Sequence, residues 1–143
     1  MNTLTLMVGL PRSGKSTWAM EQGCPVVNPD SIRLALHGES FIPSAEPMVW
    51  TLAEYMVRSL FITGHPRVIL DATNLTVKSR ARWINQDWIT DFALVQTLYD
   101  ECVYRAQETG KPELIPVIQR MKDSFEIITA EERGPGKIYY TKA

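Results

Sequence analysis

A three-layer α/β/α fold around a mostly parallel sheet of four or five strands is what this sequence predicts, and three observations carry the prediction. Short apolar runs at residues 4–8, 25–28, 67–71 and 92–99 alternate with segments of helical period. The first run leads straight into Gly9-Leu10-Pro11-Arg12-Ser13-Gly14-Lys15-Ser16, which fits the phosphate-binding pattern G-x-x-x-x-G-K-[ST]. The third run ends on a carboxylate, Asp71, at the edge where open sheets of this kind gather their ligands.

Each element follows from local signals. Residues 4–8 are uninterrupted strand formers, and a helix begins at Lys15 and closes near Gly23. A short strand at residues 25–28 runs into Asn28-Pro29-Asp30, where Asn28 caps a helix, Pro29 takes its first position and Gly38 stops it. After a loop at residues 39–44, a long helix is expected from about residue 45 to 63, with Val49, Leu52, Met56 and Leu60 as its inward stripe and Gly64 at its end.

Residues 67–71 form the next strand, and a helix is expected from Thr76 to about Trp88, its apolar stripe being Val77, Ala81, Ile84 and Trp88. Lys78, Arg80 and Arg82 then make up a solvated charged face. A fourth strand over residues 92–99 precedes a short helix capped by Asp100 and ended at Thr109 by Gly110-Lys111-Pro112. A helix over residues 113–126 turns Ile118, Met121 and Phe125 inward, and the tail, residues 134–143, is either an edge strand or an extended arm.

At 143 residues and 45% hydrophobic content the chain supports one core, so residues 1–143 read as a single domain. A net charge of −1 rules out the overall basic field that drives non-specific binding to duplex nucleic acid. Cys24 and Cys102 have neither the spacing of a metal site nor that of a disulfide framework. With no basic leader and no apolar run of bilayer length, the expectation is a cytoplasmic protein without membrane contact, and no obligate protein partner is evident.

The phosphate loop states its own chemistry. Its glycines let the backbone close into a nest of N–H donors, Lys15 reaches phosphate oxygens, and the Ser16 hydroxyl serves Mg²⁺. The candidate nucleotide-binding residues are therefore Gly9, Pro11, Arg12, Ser13, Gly14, Lys15, Ser16 and Thr17. Asp71 is the acid that a phosphate-loop enzyme puts at a strand end to help hold Mg²⁺. Asp30 and Arg33 lie one helical turn apart and share a face. A carboxylate there can take a proton from a hydroxyl while the guanidinium holds a phosphate, although Asp30 equally suits a helix first turn. Thr73 and Asn74 either donate to a substrate or build a turn. His37, His65 and the four tryptophans have capping, loop or core roles.

Taken together, residues 9–19, residues 27–33 and Val68-Ile69-Leu70-Asp71-Ala72-Thr73-Asn74-Leu75 resemble the kinase domain of phage-type polynucleotide kinases, within the wider group of small P-loop kinases. The likeness reaches to about Phe125. It implies a P-loop NTPase-type fold with a helical lid at about residues 100–115, and transfer of the ATP γ-phosphate, with Mg²⁺, to the 5'-hydroxyl of a DNA or RNA end or short oligonucleotide. By the same resemblance Asp30 is the general base, Arg33 and Thr73 contact the phosphate of the first nucleotide, and Arg105 is a lid arginine near the ATP phosphates.

Two positions depart from the pattern. Ala72 stands where an acid would orient the substrate-binding arginine, leaving that salt bridge lost or supplied by Asp71, and Thr109 stands where a second lid arginine would be. No phosphatase module is seen, so a stand-alone kinase is expected. A small-molecule hydroxyl kinase on the same scaffold is the alternative, and a nucleotide-binding switch the third reading.

Overall fold

A computed structural model describes residues 1–141. Five strands, β1 (Thr3–Val8), β2 (Val26–Val27), β3 (Arg67–Leu70), β4 (Ile89–Val95) and β5 (Ile138–Thr141), form one sheet in the order β2-β3-β1-β4-β5. Every neighbouring pair is parallel. Because parallel pairs need crossovers, helices cover the sheet: α1 (Lys15–Met20), α2 (Pro29–His37), α3 (Glu46–Ile62), α4 (Val77–Ala81), α5 (Tyr99–Glu108), α6 (Ile115–Ser124) and α7 (Ala130–Arg133). The three-layer α/β/α fold around a parallel sheet is thus the one the sequence predicts.

The central strand β1 is buried on both faces from Leu4 to Val8, in keeping with a run whose one polar residue is the β-branched Thr5. One side of the sheet carries the main core, with Leu4, Leu6, Val8, Val49, Ala53, Val57, Trp83, Trp88 and Phe92. The other carries a smaller cluster of Met7, Ala19, Ile69, Ala93 and Val95. All the strands point their carboxyl ends at the same edge, where the phosphate loop, the start of α2 and the segment after β3 converge. Among the described residues, no helix is long and apolar enough to cross a membrane.

Four local expectations are corrected. The fully buried stripe of α3 is Val49, Ala53 and Val57, with Leu52 and Leu60 partly buried against the same core as expected, while Met56 is exposed. Helix α4 ends at Ala81 and does not reach Trp88. The Trp83 carbonyl is taken by side chains, accepting from Trp88 Nε1 at 2.8 Å and Thr90 Oγ1 at 3.0 Å, so the chain turns there into an Asx turn at Asn85.

Strand β4 begins at Ile89 and ends at Val95, earlier at both ends than the apolar run suggests. Its second and third residues, Thr90 and Asp91, are polar but buried, with Asp91 accepting from the Lys137 N–H at 2.8 Å, so they do not read as core strand. The tail resolves in favour of the edge strand, β5 pairing with β4 from Phe92↔Ile138 to Val95↔Thr141, while residues 142–143 lie outside the described residues.

The fourth correction concerns Arg80, which is fully buried and not solvated. Its Nε donates to Glu132 Oε2 at 2.7 Å, Nη1 to the Asn74 carbonyl at 3.0 Å, and Nη2 to the carbonyls of Glu126 and Ile127 at 3.0 and 3.1 Å. Glu132 belongs to α7, a short helix set by a Thr129/Glu132 capping box.

Candidate active site

The phosphate loop leaves β1 and wraps back on itself through left-handed backbone at Arg12 (φ 65°) and Gly14 (φ 100°). Gly9 is needed for close approach: a Cβ there would meet Ser13 Oγ at 2.9 Å and Val95 Cβ at 3.3 Å. Two side chains from beyond β4 pin the loop's carbonyls, Thr97 Oγ1 donating to Ser13 at 2.6 Å and Arg105 Nη1 to Arg12 at 3.1 Å.

Lys15 is buried at 9% exposure, and its Nζ donates to the Leu10 carbonyl at 2.7 Å. Burial pushes its ammonium below the usual lysine range, with Asp71 opposing the shift. A polyanion beside it would relieve that desolvation. Ser13 Oγ is buried and has no hydrogen-bond partner. A buried, unsatisfied hydroxyl in this loop, close to a desolvated cation, fits a phosphate chain.

Ser16 Oγ donates to Asp71 Oδ2 at 2.6 Å, and Asn28 Nδ2 lies 3.4 Å from the same oxygen. Hydroxyl and carboxylate thus stand together at the lip of the loop, an oxygen donor set of the kind a Mg²⁺ ion takes together with substrate phosphate and water.

Across the opening lies the start of α2. Asn28 Oδ1 accepts from the Asp30 N–H at 2.8 Å, which fixes the first turn and leaves the Asp30 carboxylate 71% exposed. Arg33 Nη1 donates to Asp30 Oδ1 at 2.7 Å. Its Nε and Nη2 grip Glu46, the first residue of α3, at 2.9 and 2.7 Å. Asp71, the substitute the sequence offers for the acid missing at Ala72, is engaged with Ser16 instead. The hydrogen bonds from Arg33 hold the Glu46 carboxyl below the usual carboxylate range, and the same bonds hold Arg33 above its own.

The segment after β3 sits beneath the loop, the Gly9 N–H donating to the Thr73 carbonyl at 3.1 Å. Asn74, in left-handed backbone at φ 46°, turns its amide inward and donates to the Met7 carbonyl at 2.8 Å, so it straps this segment to β1. Arg105 also donates to Glu101 at 3.1 Å, and the Thr109 hydroxyl closes the end of α5 on the Arg105 carbonyl at 2.9 Å. A cleft of about 320 Å³ opens beside the loop, walled by Leu10, Leu75, Leu94, Tyr99 and Phe125 with Lys122 at its rim. Lys122 Nζ lies 4.7 Å from the centre of the Tyr99 ring.

The structure therefore brings Gly9 through Thr17, Asp30, Arg33, Asp71 and Thr73 to one edge, with Arg105 against the loop's backbone. Sequence reasoning missed Glu46, Thr97 and Lys122. Thr97 follows a strand at the ligand edge, which is a usable signal, whereas nothing local links Glu46 to Arg33.

Fold and loop together define a P-loop kinase-type phosphotransferase, a class that uses a nucleotide. The chain belongs to the AAA domain family, whose model matches residues 4–127. No curated protein matches the sequence. Among solved structures, a chain of the Pnkp1/Rnl/Hen1 complex is 29% identical over 73% of this chain and 38% of that one, with a TM-score of 0.66. A chain of the Pnkp1/Rnl/Hen1 RNA repair complex is 22% identical over 87% and 46%, at a TM-score of 0.67. A gluconokinase from Sinorhizobium meliloti is 16% identical over 98% and 82%, at 0.59. The last two likenesses are of fold alone. This chain spans less than half the length of the two repair-complex chains.

Proposed function

We propose that this protein transfers the γ-phosphate of ATP, with Mg²⁺, to the 5'-hydroxyl of a DNA or RNA end or short oligonucleotide. The observation that carries the reading is Asp30 held at 2.7 Å by Arg33, facing the phosphate loop across an open edge. An exposed carboxylate for the hydroxyl proton and a guanidinium for the neighbouring phosphate are the two groups that such an acceptor requires. The likeness to a chain of the Pnkp1-containing complex supports it.

ATP with Mg²⁺ would bring the phosphoryl group and neutralise its charge. The protein's own part is positioning and proton transfer. Lys15 and the loop N–H groups would hold the phosphates, and Ser16 and Asp71 would hold the metal. Asp30 accepts the proton as the acceptor oxygen bonds to phosphorus and the bond to the ADP oxygen breaks. Arg33 and Thr73 hold the acceptor, and Arg105 braces the loop from the lid side at Arg12. Asn74 acts from below, through the strap to Met7.

The test is transfer from labelled ATP with Mg²⁺ to a 5'-hydroxyl dinucleotide and a longer oligomer, with a nucleoside and gluconate as comparators and Lys15→Ala as control. Labelling of the 5'-hydroxyl ends, lost in the control, is the expected result. Unlabelled ends would sink the reading. The size and apolar walls of the 320 Å³ cleft favour a second reading, a small-molecule hydroxyl kinase, which labelling of the comparators alone would establish.

A further inference from the structure

The acid that a substrate-binding arginine needs is absent at position 72, yet Arg33 is not loose. Glu46, thirteen residues away and on another helix, meets it with both carboxylate oxygens, Oε2 to Nε at 2.9 Å and Oε1 to Nη2 at 2.7 Å. Both side chains are mostly shielded, at 14% and 17% exposure. The Trp50 ring flanks the guanidinium with its centre 5.7 Å from Cζ.

We propose that Glu46 is the positioning residue for the acceptor site, setting the guanidinium of Arg33 in the plane in which it holds Asp30 and receives the acceptor's phosphate. The inference rests on the reading given under Proposed function. Two-point contact through Nε and Nη2 fixes the rotation of a planar guanidinium, which a single contact cannot do. With that edge taken, Nη1 reaches Asp30, and each terminal nitrogen keeps a further N–H outside these bonds. The arginine is thereby ordered before any acceptor arrives, and the ordering cost is removed from the binding step. A plain clamp between α2 and α3 would not need its arginine to touch the exposed Asp30 as well.

The test compares wild type, Glu46→Gln, Glu46→Ala, Arg33→Lys and the double variant Arg33→Lys/Glu46→Ala, with a 5'-hydroxyl dinucleotide and ATP each varied in turn. Glu46→Gln keeps the side chain's shape and guards against misfolding, which thermal melts of all five proteins report. Glu46→Ala should raise KM for the dinucleotide about tenfold, leave KM for ATP unchanged, and lower kcat far less. Glu46→Gln should fall between it and wild type, and the double variant should be no worse than Arg33→Lys, because both act through one guanidinium. Equal changes in both KM values, a fall in melting temperature with KM unmoved, or additive effects in the double variant would each overturn the role of Glu46. Should wild type label no 5'-hydroxyl end, the acceptor assignment fails and takes this inference with it, a result distinct from those three.

Discussion

Two arginines in this chain make nearly the same contact and serve opposite ends. Arg80, on α4, and Arg33, on α2, each meet a glutamate from another helix through Nε and Nη2. Arg80 and Glu132 are 0% and 8% exposed, and three main-chain carbonyls also accept from the guanidinium. Arg33 instead lies at the open edge and touches an exposed carboxylate. A guanidinium sealed from water between a carboxylate and main-chain carbonyls is structural, and one that meets an exposed carboxylate at a ligand edge is available for chemistry.

The largest effect should come from breaking the buried pair. Arg80→Met strands Glu132 and leaves the carbonyls of Asn74, Glu126 and Ile127 short of a donor, so denaturant unfolding should show a loss of about 3–5 kcal/mol. Arg33→Ala should cost less stability than that, since its pair with Glu46 keeps 14% and 17% exposure against 0% and 8% for Arg80 and Glu132. Its effect should appear in steady-state kinetics, as a raised KM confined to acceptors with a phosphate beside the reactive hydroxyl.

Acid tests both pairs. Glu46 is held below the ordinary carboxylate range by hydrogen bonds from Arg33, and Glu132, although burial opposes it, by the hydrogen bond from Arg80. A carboxylate with a depressed folded pKa contributes stability that is complete above its unfolded value and is lost as pH falls through the folded one. Unfolding free energy should therefore drop below about pH 4. Glu132→Gln and Glu46→Gln should each flatten that acid limb. The smallest effect is expected at Thr97: Thr97→Val removes one hydrogen bond to the Ser13 carbonyl, which corresponds to about 1 kcal/mol and about a fivefold rise in the nucleotide Kd by titration.

The two arginines also mark how far the sequence could be read. Local signals are explicit at the phosphate loop and at Asn28-Pro29-Asp30, and those elements fold as expected with Asp30 and Arg33 in ion-pair contact. Arg80 looks solvated because its neighbours Lys78 and Arg82 are charged, and only the return of Thr129-Ala130-Glu131-Glu132 from the far end of the chain buries it. The capping box in that segment was legible, but its partner was not. Glu46 is hidden for the same reason, as its pairing depends on how α2 and α3 pack. Strand β4 was misplaced because Thr90 and Asp91 are buried with their polar groups satisfied by other segments, which no periodicity records. The α/β class and the site's edge follow from pattern, and the long-range polar pairs follow only from the fold.

The most direct test of the account is Asp30→Asn, assayed for ATP affinity and for transfer to a 5'-hydroxyl dinucleotide in the same preparation. The account predicts nucleotide affinity like that of wild type and a transfer rate lower by about 10²–10⁴-fold, the usual contribution of a general base. Transfer at the wild-type rate would contradict it.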